Sequence, residues 1–259
     1  MTRRAKCLSS GRRDSPRPSA FLSKRPSEES RSARRRLAST PRLKRRPRRT
    51  LRRRATSSPS PDPALIAAIV LAAGFARRMG RQKLLLDLKG KPVVRWSVEL
   101  VLPHVGDCVV VTGQDDSGLR GALAGLAVRF VVNPRPQDGQ GSSIAVGAAA
   151  LKPWTAAALV ALGDQPLTPA TVIPALLAAQ QRSGKAIAAP SYRGTRGTPV
   201  LFSSEVFPEL RALAGDSGAR GVLAARPERV ETVELDVAMP ADVDTPEDFA
   251  RLHGLKENL

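Results

Sequence analysis

The stretch LIAAIVLAAGFARRMGRQK, residues 65–83, decides the reading of the fold. Residues 65–73 are uninterruptedly apolar, the pattern of a strand buried on both faces of a sheet rather than of an amphipathic helix. Such a strand delivers the residues after it to the carboxyl edge, where ligands bind in open parallel sheets. Gly74 and Gly80 lack a β-carbon, so main-chain N–H groups there can approach phosphate oxygens or a base edge closely. Arg77, Arg78, Arg81 and Lys83 add positive charge. The segment is neither the G-x-x-x-x-G-K-[ST] phosphate loop nor the G-x-G-x-x-G dinucleotide pattern. A strand followed by a solvated basic turn would have the same composition, so the assignment depends on what surrounds it.

Working outward, the pattern alternates strands and helices. A helix is expected over 93–102, ended by Pro103, with a second core strand at 107–112, a weak helix at 116–126 and a third strand at 128–132. An alanine-rich helix at 142–151 follows, then a strand at 156–162, a helix at 169–182 and a strand at 186–190. Beyond Gly194 a strand is expected at 199–202, helices near 205–213 and 219–225, a strand at 230–235 and a last helix from Pro246. This is the alternation of βαβ units around a mostly parallel sheet, an α/β fold.

Of the 42 Lys and Arg residues, 21 lie in residues 1–63, against 4 of the 23 Asp and Glu. That segment therefore carries a net +17 of the chain's +19, leaving +2 for residues 64–259. The overall charge is thus no argument that the folded part binds nucleic acid. Residues 1–63 are rich in Arg, Ser and Pro and poor in apolar residues, the composition of a disordered basic tail that cannot offset its chain entropy. Such a tail suits binding to RNA or another anionic surface, or organellar targeting; a start codon further downstream would equally account for it. It contains no apolar core followed by a small-residue cleavage site, which argues against secretion. Residues 64–259 suffice for one α/β domain. No run approaches 18 apolar residues, so no membrane association is expected. Cys7 and Cys108 suggest neither a disulfide framework nor a zinc site, and a cytoplasmic protein is the simplest expectation.

Four candidate sites fall where strands should end. The first is the opening loop. In the second, Asn133-Pro134 leads to Gly139-Gln140-Gly141-Ser142-Ser143 at a helix start, where N–H and hydroxyl groups at the positive end of the dipole suit a ribose, base or phosphate. A serine there is also an ordinary N-cap. The third, Leu162-Gly163-Asp164-Gln165-Pro166, puts a carboxylate just past an apolar strand, placed to hold Mg²⁺ on a triphosphate or simply to cap a turn. In the fourth, Thr245, Pro246 and Asp248 form a capping-box-like helix start. That leaves Asp242 and Asp244, alternating on an extended segment, to help hold a metal or a ribose.

Taken together these stretches resemble the small nucleotidyltransferases that activate the molybdenum cofactor, and within them the molybdenum cofactor cytidylyltransferases. The matching segments are LAAGFARRMGRQKLLL (71–86), NPRPQDGQGSSIAVG (133–147), LGDQP (162–166), GTPVLF (197–202), GDSGAR (215–220) and DVDTPEDF (242–249). The resemblance covers nearly all of 64–255 and none of the tail. It implies a three-layer Rossmann-like nucleotidyltransferase fold over 64–259. It also implies transfer of CMP from CTP to the terminal phosphate of molybdenum-molybdopterin, with Mg²⁺ as cofactor, pyrophosphate released, and delivery to xanthine-dehydrogenase-like enzymes or their chaperone. By similarity Leu71, Ala72, Ala73 and Gly74 meet the base and ribose, with Arg78 and Lys83 on the phosphates. Gly139 and Ser143 match the nucleotide side of the second motif, Asp164 the metal ligand, Asp244 a second metal ligand, and Asp242 and Asp216 candidate substrate contacts. The Ala72-Ala73-Gly74 run is the cytidylyltransferase form; the guanylyltransferase branch resembles Ala-Gly-Gly there. Ala76 and Gly141 stand where the pattern usually has serine.

An ionised phosphate nucleophile needs no general base, which agrees with a candidate site lacking histidine. Arg78, Lys83 and Asp164 would then act by positioning and charge stabilisation. Other readings share parts of this pattern. They are a guanylyltransferase or another nucleotidyltransferase acting on a phosphorylated acceptor, a cofactor-binding chaperone, and a nucleic-acid binder acting through the tail.

Overall fold

The computed structural model describes residues 62–74 and 83–254. The apolar stretch expected as a strand is β1, Ile66–Ala72, buried throughout except for half-buried Leu71. The basic tail up to residue 61, and with it Arg77, Arg78, Gly80 and Arg81 of the opening loop, lies outside the described residues.

After the loop, β2 (Asp87–Leu88) and β3 (Lys91–Pro92) form a small antiparallel hairpin. There follow α1 (Val93–Val101), β4 (Asp107–Thr112), α2 (Ser117–Ala122), β5 (Arg129–Val132), α3 (Gln140–Ala149), β6 (Ala157–Leu162), α4 (Val172–Ser183) and β7 (Ile187–Tyr192). Then come β8 (Thr195–Arg196), β9 (Val200–Ser203), α5 (Phe207–Arg211), α6 (Arg220–Ala225), β10 (Val230–Leu235) and α7 (Pro246–Gly254). Helix α3 starts at Gln140, two residues before the expected Ser142, and its N-cap is Gly139 rather than a serine. Strand β7 runs on past Pro190, whose carbonyl accepts from the Gly197 N–H at 3.1 Å. Helix α5 is only five residues long because a 3-10 turn, Ser204–Val206, occupies the start of the helix expected there.

The main sheet runs β10-β7-β9-β6-β1-β4-β5, with β8 added to β7. Pairs β1–β4, β1–β6, β4–β5 and β7–β10 are parallel, while β9 lies antiparallel between β6 and β7. The chain reaches β9 without a helical crossover. It doubles back from β7 into β8 through Arg193-Gly194, both at positive φ as a two-residue hairpin turn requires.

Alternate residues of β1 feed two cores. Ala68, Val70 and Ala72 pack with α1, α2, α4 and α7, whereas Ala67 and Ile69 pack with α3, α5 and α6. Helices thus cover both faces of the sheet, the three-layer α/β architecture, and the central strands read as continuous apolar runs for that reason. Helix α3 comes close to the sheet at Gly147. A β-carbon built there would lie 2.4 Å from Ile69 Cγ2 and 3.0 Å from Val111 Cγ2, so α3 can settle onto β1 and β4 only without a side chain.

Gly147→Ala is therefore expected to destabilise by about 1–3 kcal/mol through overpacking. Gly121→Ala, at an exposed position of helix α2 where an added β-carbon meets nothing within 4 Å, is expected to stabilise by about 0.5–1 kcal/mol through helix propensity. Urea unfolding midpoints of the two variants should move in opposite directions.

Candidate functional site

Strands β1 and β6 pair in parallel with Leu71 opposite Leu162, so residues 73–74 and 163–164 leave the same sheet edge side by side. The Gly163 N–H donates to the Leu71 carbonyl at 3.0 Å, and the Ser97 hydroxyl of α1 donates to the Gly163 carbonyl at 3.1 Å. These bonds hold the turn that carries Asp164. Lys83 opens a 3-10 turn, Lys83–Leu85, anchored by buried Leu84. Its ammonium donates to Asp164 Oδ2 at 2.6 Å and to Asp244 Oδ1 at 2.7 Å. The Lys83 and Asp164 side chains are 13% and 19% exposed, so this is a partly desolvated triad, with Asp244 on the open side at 48%. Burial works against the Lys83 charge, but the Asp164 and Asp244 carboxylates outweigh it and raise its pKa above the ordinary lysine value.

The segment 242–244 reaches this edge between β10 and α7. The Val243 N–H donates to the Asp164 carbonyl at 3.1 Å, and the Val243 side chain is fully buried. Asp242 and Asp244 take different partners. Asp244 meets Lys83, whereas Asp242 Oδ1 accepts from Gln165 Nε2 at 2.7 Å. The Gln165 Oε1 in turn accepts from the Thr198 hydroxyl. The capping box expected at 245–248 is present: Thr245 Oγ1 accepts from the Asp248 N–H at 3.1 Å and Asp248 Oδ2 accepts from the Thr245 N–H at 3.0 Å.

At the start of α3, Asn133 is buried and donates to the hydroxyls of Ser142 and Ser143 at 2.9 and 3.0 Å. Its Oδ1 accepts from the Arg135 N–H at 3.0 Å. Ser143 is itself buried, its hydroxyl held by Asn133. The turn carrying Asp216 packs directly on this helix start. Gly139 has φ +94°, and a β-carbon there would lie 2.3 Å from Asp216 Oδ1 and 2.5 Å from the Gly215 carbonyl oxygen. The Gly141 N–H donates to the Gly215 carbonyl at 2.8 Å, and a β-carbon on Gly141 would lie 2.8 Å from the Ala214 backbone. That contact is the physical reason this chain has glycine, not serine, at 141.

The structure thus brings Lys83, Asp164, Asp242 and Asp244 together, and separately Gly139, Ser143 and Asp216. Ala72 and Ala73 are buried at the end of β1, Leu71 is half-buried, and Gly74 is exposed with open space about its Cα. Arg78 lies outside the described residues. Sequence reasoning missed Gln165, Thr198 and Asn133 as bonded supports. Each sits beside or within a quoted motif, but only contact across the fold gives its side chain a role. A cleft of about 790 Å³ is lined by residues including Trp96, Leu100, Leu167, Val237 and Met239, and by none of Asp164, Asp242 and Asp244. Among the described residues no helix is long and apolar enough to cross a membrane.

Burial, with Asp164 and Asp244 nearby, raises the Asp242 pKa against the opposing Gln165 bond. A carboxyl whose folded pKa lies above its unfolded value of about 3.9 costs stability once ionised, and that cost is absent at low pH. Asp242→Asn should accordingly be more stable than the wild type at pH 7. The difference should shrink as the pH falls through the raised value and vanish only below about 3.9, the unfolded value. Urea unfolding at the two pH values checks this.

Residues 68–231 match the MobA-like NTP transferase domain. The chain is 32% identical over 207 residues to the purine catabolism protein PucB of Bacillus subtilis, covering 73% of this chain and 95% of that protein. The crystal structure of Rv0371c from Mycobacterium tuberculosis superposes with a TM-score of 0.64 at 28% identity, over 74% of this chain and 99% of that one. A structure of Rv0371c in complex with manganese superposes with a TM-score of 0.60 at 27% identity, over 74% of this chain and all of that one. The family match runs from β1 into β10, more than half of the chain, and PucB is covered over nearly its whole length, so this chain belongs to the MobA-like NTP transferases and is a nucleotidyltransferase.

Proposed function

We propose that this chain transfers CMP from CTP to the terminal phosphate of molybdenum-molybdopterin, forming the cytosine dinucleotide cofactor and pyrophosphate. The observation that carries the chemistry is the Lys83 ammonium held between Asp164 and Asp244 at the sheet edge where β1 ends. For the base, the support is the Ala72-Ala73-Gly74 run, which resembles the cytidylyltransferase form. PucB is named a purine catabolism protein, which accords with delivery of the product to xanthine-dehydrogenase-like enzymes.

The residues present fit Mg²⁺. Two carboxylate oxygens already converge on one cationic atom, and hard divalent ions take oxygen donors. Among the described residues no cluster of three His, Cys, Asp or Glu side chains is arranged to hold a metal by itself. Two carboxylates with the remaining positions left to phosphate oxygens and water is the usual Mg²⁺ arrangement. Asp164 and Asp244 would hold the ion, which when bound supplies positive charge to the triphosphate. Lys83, released from the carboxylates, then has phosphate oxygens as its counter-charge and stabilises the crowded α-phosphate and the departing pyrophosphate. The start of α3 is fixed by Asn133 and by the 214–216 turn, which takes the Gly141 N–H, so its contribution to holding the nucleotide is the positive end of the helix dipole. The acceptor phosphate is ionised at neutral pH, so the chain has only to align it.

Pyrophosphate release measured with each of four NTPs and molybdenum-molybdopterin should be fastest with CTP; equal or faster turnover of GTP overturns the cytidylyl assignment. Asp164→Asn should lower CMP transfer about 10²- to 10³-fold. An Asp164→Asn enzyme with wild-type turnover would remove this carboxylate from the chemistry.

A further inference from the structure

The segment 236–245, which carries Asp242 and Asp244, has no helix or strand to hold it. Its place against Asp164 therefore depends on the burial of Val243 and on individual bonds. One is the Val243 N–H to the Asp164 carbonyl at 3.1 Å. The Lys83 bridge is another, but Lys83 is the group that must leave when nucleotide and metal arrive. The remaining bond at the aspartates is the side-chain pair Gln165–Asp242, at 2.7 Å.

Gln165 is 6% exposed, and both ends of its amide are engaged. An ionised Asp242 only accepts, so Nε2 must face it, and Oε1 is left to accept from the Thr198 hydroxyl. Thr198 is fixed in turn, its carbonyl accepting from the Tyr192 hydroxyl at 2.7 Å, with Tyr192 buried at the end of β7. The Gln165 carbonyl accepts from Thr168 Oγ1 at 3.1 Å, which immobilises the backbone next to Asp164. A continuous chain of bonds thus runs from β7 through Thr198 and Gln165 to Asp242, two residues before Asp244.

We propose that Gln165 is a positioning residue. Its amide fixes Asp242, and so aligns Asp244 with Asp164 on the point where the cation sits. The inference rests on the reading of Asp164 and Asp244 as the metal-holding pair, and it assigns Asp242 the part of a tether rather than a ligand.

The test is a reciprocal exchange. Gln165→Glu places a carboxylate against Asp242, and combining it with Asp242→Asn restores a donor facing an acceptor with the direction reversed. Binding of Mn²⁺ is measured by loss of the free-ion electron paramagnetic resonance signal, with the ion alone and with the α,β-methylene analogue of CTP. Gln165→Glu should weaken Mn²⁺ binding at least about tenfold, the usual scale for losing a group that orients a metal ligand. The double variant should return to within about threefold of wild type. Thermal melting separates this from a general packing effect, because affinity must follow the restored pair and not the melting temperature. Should Gln165→Glu not fold, Gln165→Met, uncharged and similar in volume, should show the same tenfold weakening. Wild-type affinity in Gln165→Glu or Gln165→Met, or a folded double variant that recovers nothing, overturns the positioning role while leaving the metal-holding pair intact. A wild-type protein that binds no Mn²⁺ even with the analogue overturns the reading of the pair and this inference with it.

Discussion

The two carboxylates that meet on one ammonium govern the arrangement of this protein's functional edge. Asp164 and Asp244 are 80 residues apart in sequence but both reach the same Lys83 nitrogen, so their like charges lie close in space and would repel without a cation between them. Lys83 resolves this by donating to both, and its position is set by the buried Leu84 beside it. Through this one contact the end of the opening loop, the turn after β6 and the irregular segment before α7 are drawn to the same place. A cation at that point is a structural need, and in this structure the Lys83 ammonium meets it.

The supports around the triad are mostly neutral. Gln165, Thr198 and Tyr192 form a relay of hydrogen bonds on one side, and Asn133 with Ser142 and Ser143 forms another at the α3 start. Buried polar groups of this kind are costly if left unpaired, so their pairing restricts the loops to one arrangement. The 214–216 turn adds a steric constraint, since it lies on Gly139 and Gly141 too closely for any side chain.

Much of the fold was legible in the residues. The run at 65–73 is buried on both faces because helices cover both sides of β1, and apolar continuity reports that directly. The capping box at 245–248 was readable because all its bonds lie within four residues. The start of α3 was misplaced by two residues because Gly139, not a serine, is the N-cap, and its need for glycine arises from a turn about 75 residues away. Expecting Asp242 and Asp244 to act alike followed from strand alternation. They diverge because Gln165 and Lys83 compete for them from different elements.

By itself the sequence determined the alternation of elements, the sheet edge at which each motif ends and the residue types gathered there, because these follow from local periodicity and from turns of a few residues. The tertiary structure alone decided that β9 would run antiparallel between β6 and β7, that Lys83 would bridge Asp164 and Asp244, and that Gln165 would take Asp242. Each of those is a contact between residues far apart in the chain. Its energy comes from burial and charge compensation that exist only once the layers have packed.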